Sequence, residues 1–338
     1  MTNAVNRSQD IPLFLTEYTV SFVRMLQKMG EDIYPILEQA GLPHNLFENE
    51  YQYVPEEPVQ KLLTIMSQKM SSQYCQIMRE QCRTEYVPNY LRRFYAQSTV
   101  EQAIEQYILY IQVDSPQAKL SLKHLAGKHY FIREKTKQNQ AWFAIAEQFA
   151  LIFMIELVRG LTHSGWMPED VGLQTDDLSG LKSVLDFSQS RVFTGRSATV
   201  ISIQKDVLQM PARVAVQWQP QSERPAPVSG FLDTFRLALL PYLSLGRMSI
   251  KEAADRLGMS ARTLQRRLKQ EQVTYSELVD EILLNNACAM MRDKHISVTR
   301  ISAALGYSDV AHFSRAFKRL KGVSPRVYRA RLQHEKED

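Results

Sequence analysis

The feature that most constrains this chain is a repeat in its last third. Displaced by 48 residues, SIKEAADRLGMS (249–260) falls on SVTRISAALGYS (297–308), bringing Leu257-Gly258 onto Leu305-Gly306. One extra residue then enters the second copy. At a displacement of 49, Leu264 meets Phe313, Arg266 meets Arg315, Leu268 meets Phe317 and Lys269 meets Lys318. Each copy reads as a helix, a glycine-containing turn and a second helix. The first helix of the first copy (250–257) carries Ile250, Ala253, Ala254 and Leu257 on one face, the alanines allowing close approach of the next helix. Gly258 accommodates a turn that needs positive φ. Ser260 and Asp309 stand where a side-chain oxygen caps the helix that follows.

In the second helix of the first copy, Leu264 and Leu268 are four apart and face inward, so Arg262, Gln265, Arg266 and Lys269 project outward, with Thr263 in the first turn beside them. In the second copy Phe313 and Phe317 face in, and His312, Ser314, Arg315, Lys318 and Arg319 lie on or near the open side. Arginine spans guanine O6 and N7, and glutamine spans adenine N6 and N7, which is what a helix in the major groove needs. Lys269, Lys318, Arg319 and Lys321, nearer the helix ends, suit phosphates. Taken singly these residues say little. An exposed arginine is more often solvated than base-bound, and His312 fits a packing or capping place better than a metal site or pH switch. Their conjunction says more. Residues 229–338 carry 19 Lys and Arg against 12 Asp and Glu, a net +7, while the rest of the chain, 22 against 24, is −2. The basic excess thus belongs to the repeat, as in a module that binds a polyanion. The stretch TYSELVDEILLNNACAMMRD (274–293) is long enough for one connecting helix of roughly 27 Å. That approaches the ~34 Å between major-groove segments on one side of a duplex.

SIKEAADRLGMSARTLQRRLKQE and GYSDVAHFSRAFKRLKGVSPRVYR resemble the two helix-turn-helix motifs of the AraC/XylS family of bacterial transcription regulators, over residues 229–331. The resemblance places Arg262, Gln265 and Arg266 at base-facing positions of the first reading helix. Val310, Ala311, His312, Ser314 and Arg315 match those of the second. Gly322-Val-Ser-Pro325 with Tyr328 corresponds to the closing turn and last helix. The chain departs from the family where Leu283 stands at a position that is often arginine. FVRMLQKMGEDIYPILEQAGLP (22–43) and QSTVEQAIEQY (97–107) are similar to the branch with a long N-terminal sensory, arabinose-binding-domain-like region. The family implies operator duplex DNA and RNA polymerase as partners, a small-molecule effector, more often activation than repression, and dimerisation among the roles of the N-terminal region.

The fold class expected is an α/β N-terminal effector or dimerisation domain (1–218), a Pro-rich linker (219–229), an all-α domain with two helix-turn-helix motifs joined by a linker helix (230–331), and a disordered tail (332–338). Upstream, apolar periodicity predicts helices over 13–29, 32–41, 54–70 and 139–163, and Ser98 with Glu101 forms a capping box for another. KLSLKHL (119–125) and KHYFIRE (128–134) read as a hairpin, and VGLQT (171–175) and ATVISIQ (198–204) as further strands. Arg133, Arg191 and Arg196 are candidates to receive a carboxylate or phosphate of the effector. Tyr107, Tyr110, Phe131 and Trp142 are candidates to line its cavity. For both groups a plain surface or core role is the stronger competing reading.

Other classes are disfavoured. The most apolar stretch, 141–158, holds Glu147, Gln148 and Glu156, so it reads as a buried helix rather than a membrane span. The first dozen residues lack a secretion pattern, and the expected location is the cytoplasm, at the nucleoid. Cys75, Cys82 and Cys288 form no disulfide or zinc framework, and no phosphate loop or nucleophile elbow occurs, so no cofactor, metal or catalytic role is expected. The alternatives to a specific regulator are a non-specific architectural DNA-binding protein and, less favoured for want of a cysteine-rich segment, a repair enzyme fused to this module.

Overall fold

The computed structural model describes residues 10–47, 51–69, 73–93, 99–114, 119–136, 140–213, 228–243 and 246–334. The chain forms two compact units, and neither is one continuous stretch. The first comprises Met1–Thr16, Gly41–Pro58 and Ser229–Asp338, the second Glu17–Ala40 and Val59–Val228. A single cut at 219–229 is therefore not how the chain divides. Most of that expected linker falls in 214–227, outside the described residues.

The first unit is helical apart from one ribbon. Strand β1 (Leu13–Leu15) pairs antiparallel with β2 (Tyr53–Pro55), Leu13 opposite Pro55 and Leu15 opposite Tyr53. These segments were expected to be the first turns of helices at 13–29 and 54–70. Their apolar side chains instead complete the core of the helical domain, and the helices begin only after them, as α1 (Thr16–Lys28) and α3 (Glu56–Lys69). Between these in the chain lies α2 (Ile33–Ala40), closed by Gly41 at φ +78°; α2, with α1 beyond Thr16 and α3 beyond Pro58, belongs to the second unit. The ribbon is tied to the start of α10 (Phe231–Leu243): Ile11 N–H donates to Thr234 Oγ1 at 2.9 Å, and Gly230 N–H donates to Asp10 Oδ1 at 3.1 Å. Ile11, Leu13 and Tyr53 share one buried cluster with Phe235, Leu264, Leu268, Leu283, Phe313 and Phe317. Leu283 is fully buried, so the position where the family often has arginine is here a packing position.

The rest of this unit is α11 (Ile250–Arg256), α12 (Ala261–Gln270), α13 (Tyr275–Met290), α14 (Val298–Ala304), α15 (Val310–Lys321) and α16 (Pro325–His334). The tail expected to be disordered from 332 is helical through His334, and 335–338 lie outside the described residues. Ser324 Oγ accepts from Val327 N–H, with Pro325 at the first helical position, where a missing N–H costs nothing.

The second unit is α/β. Helix α4 (Gln73–Gln81) passes through one π-helical turn, Cys82–Tyr86, into α5 (Val87–Arg93). Helix α6 (Val100–Asp114) is capped by Thr99, whose hydroxyl accepts from Gln102 N–H at 3.3 Å, and the expected cap, Ser98, lies outside the described residues. The hairpin is β3 (Lys119–Leu125) and β4 (Lys128–Glu134), turned by Ala126 and Gly127, both at positive φ as a two-residue hairpin turn requires. With β5 (Asp170–Gly172), β6 (Arg191–Phe193) and β7 (Thr199–Ile203) it makes a five-stranded sheet in the order β3-β4-β7-β5-β6, parallel only between β5 and β6. Short helices α8 (Ser179–Lys182) and α9 (Lys205–Gln209) complete the unit.

Helix α7 (Ala141–Thr162) is long and apolar enough to span a membrane by composition, yet most of it is buried within the protein. Its carboxylates have structural work. Glu147, fully buried, accepts from the N–H groups of Gln174 and Thr175 at 2.7 and 2.8 Å and from the Thr175 and Thr199 hydroxyls at 2.6 Å each. A buried charge is tolerable only when hydrogen-bonded in this way.

Candidate nucleic-acid interface

Each helix-turn-helix is built by the same local chemistry. Ser249 and Glu252 form a reciprocal capping box that starts α11. Gly258 then turns the chain at φ +64°, and Ser260 Oγ accepts from Thr263 N–H at 3.1 Å to start α12. In the second copy Ser297 caps α14, Gly306 turns at φ +71°, and Asp309 Oδ1 accepts from His312 N–H at 2.6 Å to start α15. That hydrogen bond holds the Asp309 carboxyl below its ordinary pKa. Between the copies, Thr274 and Glu277 form a second capping box, and α13 runs 16 residues, about 24 Å.

The inward residues are as the repeat predicts. Leu264, Leu268, Phe313 and Phe317 are buried. On the other face of α12, Arg262, Gln265, Arg266 and Lys269 are exposed side by side, while Thr263 is half-buried with its hydroxyl 2.9 Å from Ser260 Oγ. Arg267 points elsewhere, its guanidinium 5.7 Å from the Phe231 ring. On α15, His312, Arg315 and Lys318 are exposed and Ser314 is half-buried, with the His312 ring edge-on to Tyr307 at 5.6 Å. Arg319 is exposed as well, and its Nη2 donates to Asp280 Oδ2 on α13 at 2.9 Å. Lys321 likewise donates to Asn285 Oδ1 at 2.8 Å. Sequence reasoning did not single out Asp280, and its partner Arg247 carried no motif.

The effector candidates in the second unit do not converge. Tyr107 stacks on Phe153 at 5.1 Å and meets Tyr90 and Phe131 edge-on, all within the core. Trp142 is buried too, its Nε1–H donating to Gln140 Oε1 at 2.7 Å and Lys135 Nζ lying 5.1 Å from its ring. Tyr110, on α6, is half-buried. Arg133, on β4, is buried. Arg191 Nε donates to Asp170 Oδ1 at 2.7 Å. Burial raises the Asp170 pKa, but hydrogen bonds from Lys128 and Arg191 outweigh it and leave the carboxyl below its ordinary value. Arg196 lies over the Phe193 ring at 5.0 Å.

A groove that sequence reasoning missed lies elsewhere in this unit. It has a volume of about 540 Å³ and is lined by Gln76, Arg79, Glu80, Arg83, Thr84 and Val184. Arg79 donates to buried Glu156 at 2.8 Å and to the Val184 carbonyl, whereas Arg83 is mostly exposed and 3.7 Å from the other Glu156 oxygen. Periodicity gave no sign of it, because the π-helical turn that presents Arg83 breaks the helical register.

Residues 253–331 match the family model described as a helix-turn-helix domain. The transcriptional regulator VqsM of Pseudomonas aeruginosa is 41% identical over 81 residues, 24% of this chain and 25% of that protein. The transcriptional activator RhaS of Escherichia fergusonii is 39% identical over 83 residues, 24% of this chain and 30% of that protein. The transcriptional activator AggR of Escherichia coli is 27% identical over 101 residues, 30% of this chain and 38% of that protein. The match thus spans about a quarter of the length of the first of these relatives and little more than a third of the last. The C-terminal region is an AraC-type helix-turn-helix domain.

Proposed function

We propose that this protein is a transcription regulator that binds operator DNA in a sequence-specific way, laying α12 and α15 into successive major-groove segments of one duplex. The observation that carries the reading is the exposed row Arg262, Gln265, Arg266 and Lys269 on α12, held outward by the burial of Leu264 and Leu268. Arg262, Gln265 and Arg266 take bases, with Thr263 steadying the first turn, and Lys269 and Lys318 take phosphates. On α15, Arg315 is the main reader, flanked by His312 and Ser314. The second unit receives a small-molecule effector bearing a carboxylate and supports a homodimer, and RNA polymerase is the partner through which bound protein activates transcription.

Burial of Arg133, Tyr107 and Trp142, and the commitment of Arg191 to Asp170, favour the groove beside Arg83 over those residues as the effector's place.

The test is site selection from random duplexes with the full chain. Selected sites should bind ~10³-fold or more tighter than random DNA. Arg266→Ala should weaken binding to them by about 1–3 kcal/mol and relax preference at one base step. An equal loss on every sequence would remove Arg266 from the base readers.

A further inference from the structure

The two reading helices are joined by more than the connecting helix. Asp280 lies on α13 with its carboxylate buried. One of its oxygens accepts from Arg247 Nη2, and the other accepts from Arg319 Nη2 at 2.9 Å. Arg247 belongs to the lead-in of the first motif, two residues ahead of the Ser249 cap, and Arg319 to the last turns of α15 in the second. The Arg247 guanidinium also lies 4.8 Å from the ring of Tyr307, in the turn of the second motif. Backbone meets backbone at the same place: a Cβ added to Gly306 would stand 3.0 Å from Arg247 N and 3.2 Å from Gly246 Cα. The next residue along α13, Glu281, holds α10 through two hydrogen bonds from Arg236, at 3.0 and 3.1 Å.

A single connecting helix fixes how far apart two motifs stand. It does not by itself fix how far one is rotated about the helix axis relative to the other. A second attachment away from the axis does, and one buried carboxylate shared by two guanidiniums from different motifs is such an attachment. It is demanding on the carboxylate, because a buried charge stripped of its partners is strongly unfavourable, while Arg319, itself 66% exposed, holds its side of the bridge against water. Burial works against the charge on Arg247, yet the hydrogen bond to Asp280 leaves its pKa above the ordinary value.

We infer that Asp280, bridging Arg247 and Arg319, is a positioning residue that sets the angle between the two reading helices and so the half-site spacing this protein accepts. The inference rests on the proposed reading that both helices engage one duplex. It also assigns Arg319 to the bridge instead of to a phosphate.

The experiment uses the full chain and duplexes selected by the wild-type protein from random DNA. Binding is measured on the best duplex, on duplexes with either half-site scrambled, and on duplexes with one or two base pairs inserted between the half-sites, the larger insertion rotating one against the other by about 70°. Wild-type protein should lose about tenfold or more on that insertion. Asp280→Ala should bind the best duplex several-fold more weakly and show a flattened spacing profile, with base preference within each half-site retained. Asp280→Asn, of nearly the same volume, gives the same reading if the alanine variant fails to fold, and Asp280→Glu should restore part of the profile. Arg319→Ala should flatten the profile while leaving the salt dependence of binding unchanged. A spacing profile as steep in Asp280→Ala and Asp280→Asn as in wild type overturns the inference. So does an Arg319→Ala variant that keeps the profile and lowers the salt slope by about one, the mark of a lost phosphate contact. A wild-type protein indifferent to scrambling the second half-site overturns the two-headed reading itself, and is recognised before any variant is made.

Discussion

The two helix-turn-helix motifs repeat on their buried side and diverge in their supports. The first leans on residues from far upstream: a Cβ at Gly258 would meet the Glu57 carboxylate at 2.9 Å, and one at Gly41 would meet the Arg256 guanidinium. The second leans on the C-terminal helix, the Tyr328 ring of α16 standing edge-on to Phe317 at 5.4 Å. Their cores differ accordingly, leucines at 264 and 268 against phenylalanines at 313 and 317. Their tips differ as well, Arg262, Gln265 and Arg266 against Ala311, His312 and Arg315. A motif that leans on Gly41 and Glu57 depends on chain outside residues 229–338. A motif supported by its own C-terminal helix does not.

The sharpest way to break this comparison is to cut each support. Phe317→Ala removes a fully buried ring that touches Phe313 and Tyr328, and should cost about 3–5 kcal/mol of stability in chemical denaturation. Leu13→Ala, 251 positions away from the α12 residue Leu264 in whose cluster it is buried, should cost about 2–5 kcal/mol and weaken DNA binding although it touches no DNA. By the same reasoning a fragment of residues 229–338 lacks Ile11, Leu13 and Tyr53 and should unfold at lower denaturant than the full chain's DNA-binding unit. A Leu13→Ala variant as stable as wild type would show the ribbon to be a passive neighbour.

The two turns differ in a way that supplies a smaller effect. Both Gly258 and Gly306 have positive φ, so alanine is strained at either by about 1–2 kcal/mol. At Gly258 the added methyl meets the end of a flexible glutamate, which can swing aside. At Gly306 it meets the backbone of residues 246 and 247, which cannot. Gly306→Ala should therefore lower the melting temperature more than Gly258→Ala. Equal effects would mean that the contact between the motifs yields as easily as a side chain.

How much of the fold and the site is legible in the sequence depends on the range of each signal. The tandem motifs, their caps and the outward face of α12 were readable, because helical period, glycine and capping residues act within a few positions. The β3–β4 hairpin was readable for the same reason. The β1–β2 ribbon was not: Leu13–Leu15 and Tyr53–Pro55 carry apolar residues that continue into helical patterns, and only pairing 40 residues apart makes them strands. Strand β6, Arg191–Phe193, is only three residues long, too short for a period-two pattern to register. Asp280 was invisible because an acidic residue on a helix ordinarily reads as a solvated face, and its burial depends on Arg247 and Arg319 arriving from 33 and 39 positions away. The aromatic effector candidates follow the competing reading already favoured for them, since aromatics at helical spacing, Tyr107 and Trp142 among them, lie in the core.

The smallest difference between the motifs lies in their caps, and pH tells them apart. Ser260 caps α12 with a hydroxyl that does not titrate, whereas Asp309 caps α15 with a carboxylate. The backbone N–H of His312, and after it that of Ala311, holds the Asp309 carboxyl below its ordinary pKa of 3.8. A group whose pKa is lower in the folded state contributes stability that is present above the unfolded value and fades as pH falls through the folded one. The start of α15 should therefore loosen on acidification below about pH 4, and the start of α12, capped by Ser260, should not, although Glu252 gives the first motif an acid-sensitive cap of its own at the start of α11. Asp309→Ser should make the two alike, removing that part of the acid dependence while keeping α15 capped. The measurement is hydrogen exchange of the first-turn amides of α12 and α15 across that pH range. Parallel loss of protection in both helices, unchanged by Asp309→Ser, would show that acid acts on the domain as a whole and not through this cap.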